Sequence, residues 1–453
     1  GMLAQGRNVA RLEEEFARMS GATHAVACAN GTCALQLAYG ALIEPGDEVL
    51  VPAWSYIATA SMVVAAGATP VWVDADPVTY CMDMEDARRK VTPRTTAIAP
   101  THIYGNPVDI GAVDRLAVDN ALAVVFDAAQ AHLATYRGKG IGAFGDAVTY
   151  SFYPTKNMTT GEGGLVTTND EETDRLLRSL RSHGEAEKYV HDRIGFNYRM
   201  SDIEGAIGVS QLGRLEGATA RRRANAAQLH AMLANIPGLH APVTTEGAEH
   251  AYHLYPVRIE TEAFVAPPEG STIRKVFQEL LLAEGVATAV HYPRSLTRQP
   301  VFDIAGVEHQ PVSDLLAETL MCVPVHPGLS EGDLAGGGGA GGGGGAARGG
   351  GGGRRGGGGG GEEQARFVCR GLRGAKAAPG PSEERVARLD RAPMHRSTKR
   401  SSEDRQAVAV GLRGIVDRVR DVPRHGLPVA GRGGARKSWL RADKPWRPWK
   451  GTS

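Results

Sequence analysis

The stretch from Ala147 to Gly164 reads AVTYSFYPTKNMTTGEGG, and its features set the first interpretation of the chain. A strand-like run ends at Ser151, Lys156 follows five residues later, and glycines punctuate the remainder. Upstream, the apolar run Val-Val-Phe ends abruptly in Asp127. A lysine that forms an imine with an aldehyde cofactor needs an acidic partner for the cofactor's ring nitrogen, a phosphate cradle and room at the reacting carbon. The stretch therefore predicts that Lys156 is prepared for the covalent chemistry of pyridoxal phosphate.

Asp127 is the candidate partner for the ring nitrogen. An aspartate at the end of a strand is often only a turn or helix-cap residue. Between Asp127 and Lys156, however, lie a glycine-punctuated hairpin and a second strand, so the spacing places both side chains at the ends of neighbouring strands. A carboxylate beside a protonated pyridine keeps the ring electron-withdrawing, which the carbanion chemistry requires.

Other segments supply candidates for the phosphate and for the face of the ring. The run Asn-Gly-Thr-Cys at 30–33 precedes a helix whose N-terminal N–H groups can bind phosphate, and Ser151 can add a hydroxyl. Tyr56 can stack on a pyridine ring, with a core aromatic as the alternative. The histidines, among them His102 and His291, lack the spacing of metal ligands, so no metal site is predicted.

Strand and helix patterns alternate over the first half of the chain. Such alternation predicts an α/β fold with right-handed crossovers and a mostly parallel sheet flanked by helices. Ligands of these sheets bind beyond the carboxyl ends of the strands, where residues 30–32, Asp127 and Ser151 fall. The predicted strands are 25–28, 48–52, 69–74, 96–100, 121–126 and 147–151, and the predicted helices are 9–20, 31–40, 59–66, 109–119, 172–183 and 201–237.

The pattern changes after Pro237 and again after Asp333. Short strands at 253–258 and 287–290, with a helix at 271–284 between them, predict a smaller α+β domain. The predicted organisation is a large cofactor-binding domain at 1–236, a small C-terminal domain at 237–334 and a low-complexity basic tail at 335–453.

The tail differs from the rest of the chain in composition and in charge. Glycine makes up 20 of the 27 residues from 335 to 361, and the tail holds 25 Lys and Arg against 10 Asp and Glu. Because glycine cannot bury apolar area, the sequence predicts disorder here. One interpretation is a flexible RNA-binding segment. The favoured one is a frameshifted reading of GC-rich DNA, so nucleic acid is not an expected partner.

Composition also favours the cytoplasm. The five cysteines show no paired spacing, as expected in a reducing compartment. The sequence contains no run of about 18 apolar residues of the kind that spans a membrane. Its first residues lack the basic region and apolar stretch of a signal peptide.

Taken together, the motifs resemble a known family. The segments 126–132, 151–157 and 161–164 closely resemble the DegT/StrS-type sugar aminotransferases, which are fold-type-I pyridoxal-phosphate enzymes. The resemblance covers residues 1 to about 334. It implies transfer of an amino group, from glutamate, to a keto group on a nucleotide-linked sugar in amino-sugar biosynthesis. Further segments that match in the same order are 30–32, 45–49, 102–105, 197–202, 291–293 and 326–329.

The resemblance also implies a role for individual residues around the cofactor ring. Lys156 would hold the cofactor covalently and shuttle a proton between cofactor and substrate. Asp127 would pair with the pyridine nitrogen, and Gln130 would hydrogen-bond the phenolic oxygen. Tyr56 stands at the position of the family's ring-stacking aromatic residue.

The resemblance implies a phosphate cradle made of Thr32, Cys33 (through its backbone) and Ser151. Asn197 matches an asparagine that reaches the phosphate of the neighbouring subunit, which implies a homodimer with shared active sites. The residues expected on the substrate side are His102, His291 and Tyr292.

Several alternatives stay open within this resemblance. Dehydratases on the same scaffold carry histidine where Lys156 stands, so the lysine favours amino transfer. A cyclitol ketone or an antibiotic precursor is an alternative acceptor. A further alternative is that the chain is a catalytically impaired member of the family. It starts at the family's Gly-x-Leu-x-x-Gly element, and the glycine tract from 335 replaces the expected last helix. Residues 157–164 resemble members that act at the sugar's 4-position, but the sugar and nucleotide stay undetermined.

Overall fold

A computed structural model describes residues 3–302 and 307–329. The tail at 335–453, with its predicted disorder and its two interpretations, lies outside the described residues. Among the described residues, no helix is long and apolar enough to cross a membrane.

Helices and strands alternate along the chain from Arg7 to Asp127, as the sequence pattern predicts. The helices are α1 (Arg7–Ser20), α2 (Gly31–Leu42), α3 (Ala58–Ala65), α4 (Met84–Lys90), α5 (Ile110–Asn120), α6 (Glu171–Arg181), α7 (Asp202–Leu233), α8 (Ile273–Ala283) and α9 (Pro311–Thr319). The strands are β1 (His24–Cys28), β2 (Glu48–Pro52), β3 (Thr69–Val73), β4 (Thr95–Ile98), β5 (Ala123–Asp127), β6 (Thr135–Tyr136), β7 (Lys139–Gly140), β8 (Ala147–Ser151), β9 (Gly164–Thr168), β10 (Glu185–Glu187), β11 (Val190–His191), β12 (Leu239–His240), β13 (Ala248–Glu249), β14 (Tyr255–Ile259) and β15 (Leu320–Val323).

Seven strands form the central sheet in the order β1-β9-β8-β5-β4-β2-β3. The neighbours from β8 to β3 pair in parallel, whereas β9 runs antiparallel to both β1 and β8. The predicted α/β fold with a mostly parallel sheet is therefore confirmed. Since β1, β5 and β8 end at the same edge of the sheet, the residues that follow them are brought together there.

Several predicted elements differ from the observed ones. Strand β9 and helices α4 and α9 were not predicted, and α7 ends at Leu233 rather than at 237. The predicted strand at 287–290 is wrong. Only Ala289 pairs there, through an isolated bridge with Cys322 at the edge of β15. An alternating apolar pattern marks residues that face a core, but it does not show whether a neighbouring strand continues the ladder.

A separate apolar cluster lies beyond the central sheet. The second half of α7 packs there against the three-stranded sheet β12-β14-β15 and against α8, around Tyr255 and Phe277, both fully buried. A buried carboxylate ties α9 to the central sheet. Asp74, just after β3, accepts hydrogen bonds from the N–H of Val312 (2.9 Å) and from the N–H and hydroxyl of Ser313 (2.8 and 2.6 Å) at the start of α9.

Candidate active site

Asp127 stands at the carboxyl end of β5 and is 5 % exposed. Its Oδ2 accepts a hydrogen bond of 2.7 Å from Thr59, and its Oδ1 accepts one of 3.0 Å from the Ala129 N–H. Because Thr59 gives its single proton to the carboxylate, Ser55 must donate to Thr59 (2.9 Å), and Thr101 must then donate to Ser55 (3.0 Å). The carboxylate is therefore held by an ordered row of three hydroxyls.

Lys156 lies in the loop between β8 and β9, and its backbone N–H bonds the Tyr153 carbonyl at 2.9 Å. Burial lowers the pKa of the Lys156 amine below its usual range, and the negative charge of Asp127 only partly opposes this. A buried amine next to one carboxylate is thus biased toward its neutral form. Only the neutral form is a nucleophile.

The start of α2 packs closely on the end of β8. Gly31 is so close to Ser151 that a Cβ on residue 31 would lie 2.7 Å from the Cβ of Ser151 and 3.1 Å from its hydroxyl. The helix can approach the strand end this closely because residue 31 lacks a side chain. Thr32 is exposed there, and the Cys33 N–H is donated to Asn30 Oδ1 at 2.9 Å. Because the first N–H groups of a helix have no carbonyl partner within it, the start of α2 beside Ser151 is the candidate position for an anion.

Gln130 connects the end of β5 to Tyr292. Its Oε1 accepts from the Tyr104 N–H at 2.7 Å, and its Nε2 donates to the Tyr292 hydroxyl at 3.0 Å. Burial and the charge of Asp127 raise the pKa of Tyr292, so this phenol stays protonated. Tyr56 lies at the rim, 56 % exposed, with its ring centroid 6.1 Å from that of Tyr292.

The two candidate histidines occupy different environments. His291 is partly buried, and burial followed by the charge of Lys156 lowers its pKa. His102 is fully buried and stacks on Phe126, and its Nδ1 accepts from the Val108 N–H at 3.1 Å. Burial lowers the pKa of His102 to about 3. That is the environment of a core side chain, and a substrate-side role for either residue stays a prediction.

Asn197 is the one predicted site residue that this chain does not bring to the others. It is exposed and pairs with Ser182 through an isolated bridge at the base of the β10–β11 hairpin. Its predicted reach into a neighbouring subunit stays a prediction.

Sequence reasoning missed Thr59, Asn157 and His253. The role of Thr59 could have been predicted from the sequence. Ser55 and Thr59 are four residues apart after a strand end, a spacing that places two side chains on one face of a helical turn. The contact between Asn157 and His253 joins residues 96 positions apart, and no local pattern marks it.

The residues fit a phosphorylated pyridine aldehyde. A buried carboxylate with fixed donors suits a protonated ring nitrogen, the start of α2 beside Ser151 suits a phosphate, and the amine of Lys156 suits a carbonyl carbon. Fold and site together thus define a pyridoxal-phosphate-dependent enzyme of fold type I.

The chain belongs to the DegT/DnrJ/EryC1/StrS aminotransferase family, whose model matches residues 1–336. It is 39 % identical over 333 residues to UDP-N-acetyl-3-dehydro-alpha-D-glucosamine 3-aminotransferase of Acidithiobacillus ferrooxidans, covering 73 % of this chain and 86 % of that protein. It is 37 % identical to dTDP-3-amino-3,4,6-trideoxy-alpha-D-glucose transaminase of Streptomyces venezuelae, covering 73 % and 85 %.

Solved structures agree with this assignment. DesV of S. venezuelae, crystallised with a ketimine intermediate, is 37 % identical and superposes with a TM-score of 0.69 over 73 % of this chain and 87 % of that one. The aminotransferase of Psychrobacter cryohalolentis is 33 % identical, with a TM-score of 0.68 over 73 % and 89 %. The protein is therefore an aminotransferase that uses pyridoxal phosphate.

Proposed function

We propose that this aminotransferase moves an amino group from glutamate to a keto group on a nucleotide-linked sugar, in amino-sugar biosynthesis in the cytoplasm. One observation carries the amino-transfer chemistry: the amine of Lys156, whose pKa is lowered by burial, lies within the field of the Asp127 carboxylate, at one edge of the mostly parallel sheet. The sugar substrate is supported by the named activities of the relatives. The cytoplasmic location is supported by the cysteines of the described part, which are all free.

Pyridoxal phosphate supplies the electron sink when it is bound. The protein's own groups bind it and move protons. Asp127, fixed by Thr59 and the Ala129 N–H, holds a proton at the ring nitrogen. The N-terminus of α2 and the Ser151 hydroxyl bind the phosphate. Gln130 has its Nε2 directed to the Tyr292 hydroxyl, so this pair can present a donor to the phenolic oxygen.

Lys156 is the group that takes a proton from one carbon and returns it to another. A neutral amine is needed to accept the proton, and burial favours the neutral form by lowering the pKa of Lys156. His291, whose pKa is also lowered by burial, lies close enough to feel the lysine charge and is a candidate to orient the substrate.

For the acceptor we propose carbon 3 of the sugar. Two relatives carry a 3-amino or 3-dehydro sugar in their names. This replaces the 4-position suggested by residues 157–164. We also propose that residues 1–236 and 237–334 form the large and small domains of one subunit.

We further propose a homodimer with shared active sites. The β10–β11 hairpin and the residues just after it expose three large apolar side chains, Tyr189, Val190 and Ile194, which are 82, 53 and 89 % exposed. Exposed apolar side chains that cluster in sequence support an interface with another protein surface. Asn197 follows directly and is exposed as well, which suits a side chain that completes a neighbouring site.

The test compares Lys156→Ala with Lys139→Ala, an exposed lysine on the β6–β7 hairpin. The purified Lys139 variant should show the visible absorbance of bound pyridoxal phosphate and lose it on addition of glutamate, whereas the Lys156 variant should show neither. A panel of nucleotide sugars with the keto group at carbon 3 or carbon 4 should then restore the band of the glutamate-treated enzyme, faster with the 3-keto compounds. A visible band that persists in Lys156→Ala would sink the proposal.

A further inference from the structure

The residue after the reactive lysine is tied to a distant part of the chain. Asn157 donates from Nδ2 to the Ala251 carbonyl at 3.4 Å, and its Oδ1 contacts His253 Nδ1 at 3.1 Å. Both ends of one side-chain amide thus bind the segment 250–254, which leads into β14.

This segment is itself fixed from other directions. The carbonyls of residues 250–253 all accept hydrogen bonds from side chains. Arg223 donates to the carbonyl of residue 250 at 3.0 Å, and Asn157 donates to that of residue 251. Nη1 of Arg222 donates to the carbonyls of residues 252 and 253 at 3.1 and 3.2 Å. Arg222 and Arg223 project from α7. The segment's amides are used as well, since Ala251 N–H bonds the Gly105 carbonyl at 2.8 Å and Leu254 N–H bonds the Tyr104 carbonyl at 3.3 Å.

The backbone around Gly105 is too close to admit a side chain. A Cβ on residue 105, whose φ is +95°, would lie 2.8 Å from the Gln130 carbonyl and 3.1 Å from the N–H groups of Tyr252 and His253. The segment 250–254 therefore packs directly against the turn that follows β4 and against the loop that carries Gln130.

The hydrogen-bond partners determine the tautomer of His253. A carbonyl only accepts, so the Ala251 carbonyl must face the Asn157 NH2 group, and Asn157 Oδ1 then faces His253. Nδ1 of His253 must consequently carry the proton and donate it. Burial, followed by the positive charges of Lys156 and Arg222, lowers the pKa of His253 well below its usual value, so the ring is neutral and Nε2 holds a lone pair.

We propose that His253 is a positioning residue for Lys156, acting through its Nδ1–H hydrogen bond to Asn157. The inference rests on the proposed function of Lys156 as the amine that holds the cofactor. On the other side of the lysine the loop is open, since the residues 153–155 are exposed. The contact at Asn157 attaches the lysine's loop to the segment 250–254, and α7, through Arg222, fixes that segment.

The experiment uses the full-length, cofactor-loaded enzyme and the single-turnover loss of the visible band with glutamate. His253→Leu should lower the maximal rate about tenfold to a hundredfold, because a small misplacement of a reacting group costs that much. The glutamate concentration at half-saturation should stay within about twofold, since no substrate contact is removed. His253→Asn places an N–H where Nδ1 stands and should stay within about threefold of the parent rate.

His250→Leu is the control for disturbing the segment itself, because His250 is a similarly buried histidine whose Nδ1 accepts the Tyr252 N–H at 2.7 Å and which has no contact with Asn157. It should stay much closer to the parent rate than His253→Leu. If His253→Leu behaves like the parent, or if all three variants slow equally, the positioning role is overturned. Should His253→Leu fail to fold, Asn157→Ala decides, since it removes the same contact from a partly exposed loop. A parent-like rate in Asn157→Ala then refutes the role.

A second readout separates this inference from the proposed function. Reduction with borohydride should attach pyridoxal phosphate to Lys156 of the parent, as seen by peptide mass spectrometry. Attachment at another residue would overturn the proposed function itself. If the cofactor is attached at Lys156 in every variant, the rate at which each apoprotein binds pyridoxal phosphate again is compared. A lower rate in His253→Leu than in His253→Asn supports the positioning role, and equal rates contradict it.

Discussion

Thr59 Oγ1 donates a hydrogen bond of 2.7 Å to Oδ2 of Asp127, and this bond joins the first turn of α3 to the end of β5. Since the carboxylate cannot donate, the bond also directs the hydroxyl protons of Ser55 and Thr101 toward it. The orientation of Asp127 is thus determined by a residue 68 positions away in sequence.

Replacing Thr59 with Val should weaken binding of pyridoxal phosphate roughly tenfold, because a hydrogen bond to a charged group contributes about 1.5–3 kcal/mol. The dissociation constant is measured by titrating the apoprotein and following the visible band. Thr219→Val is the control. Thr219 is equally buried in α7, and its hydroxyl has no hydrogen-bond partner among the described residues. Equal affinities in the two variants would contradict the role of Thr59.

Replacing Gly31 with Ala should push the start of α2 away from Ser151 and so disturb the proposed phosphate site. The new Cβ would meet Ser151 at 2.7 Å, and overpacking of this kind costs about 1–3 kcal/mol, or roughly tenfold in affinity. The loss should appear with pyridoxal phosphate and disappear with pyridoxal, which lacks the phosphate. Gly213→Ala, in a part of α7 where a Cβ meets nothing within 4 Å, should instead stabilise the protein by about 0.5–1 kcal/mol. Equal losses for both ligands in Gly31→Ala would place the effect elsewhere.

Replacing Lys156 with Met should stabilise the apoprotein near neutral pH by about 1 kcal/mol, because a buried amine is removed. The gain should shrink as the pH rises. Burial lowers the pKa of Lys156 in the folded state, so the unfolded chain binds more protons between this lowered value and the ordinary lysine pKa. The stability of the parent therefore rises with pH across that window. Urea unfolding at several pH values measures the difference in the free energy of unfolding between Lys156→Met and the parent. A difference that stays constant or widens as the pH rises would refute the lowered pKa of Lys156.

The proposed sharing of active sites between subunits can be tested by complementation. Asn197→Ala and Lys156→Ala should each be nearly inactive alone. After the two variants are mixed and allowed to exchange subunits, roughly a quarter of the sites would combine both intact residues, since each mixed dimer of twofold symmetry has one such site. Activity should return toward that fraction of the parent. Two parent-like single variants, or no recovery after exchange confirmed by mass, would contradict the shared site.

The sequence predicted the strand ends well, because strand ends are local. Apolar runs that stop at Asp127 and Ser151 are visible in a few residues, and the observed β5 and β8 end at these residues. The direction of β9 was not predictable in the same way. Gly164–Thr168 is a short buried strand, and its pairing depends on β1 and β8 rather than on its own composition.

The supports of the site were harder to predict than its reacting groups. Lys156 and Asp127 belong to recognisable sequence motifs. The contacts of Thr59, Arg222 and His253, by contrast, arise only when segments distant in sequence pack together. A hydroxyl or an imidazole in a helical or strand pattern gives no sign of which residue it will bond. The predicted strand at 287–290 failed for a related reason, because its apolar residues face a core without a partner strand beyond Ala289.

The cap that Asp74 places on α9 has a consequence for synthesis. Asp74 leaves the ribosome well before its partner Ser313, which follows 239 residues later. Because domains generally begin to fold from the N-terminal end during translation, the central sheet can form while this carboxylate still faces water. Asp74 is buried only after α9 has been synthesised. A nascent chain that stops before residue 312 would therefore keep a hydrated carboxylate where the finished protein has the contact between Asp74 and α9. That difference gives the unfinished chain a surface that the complete fold no longer presents.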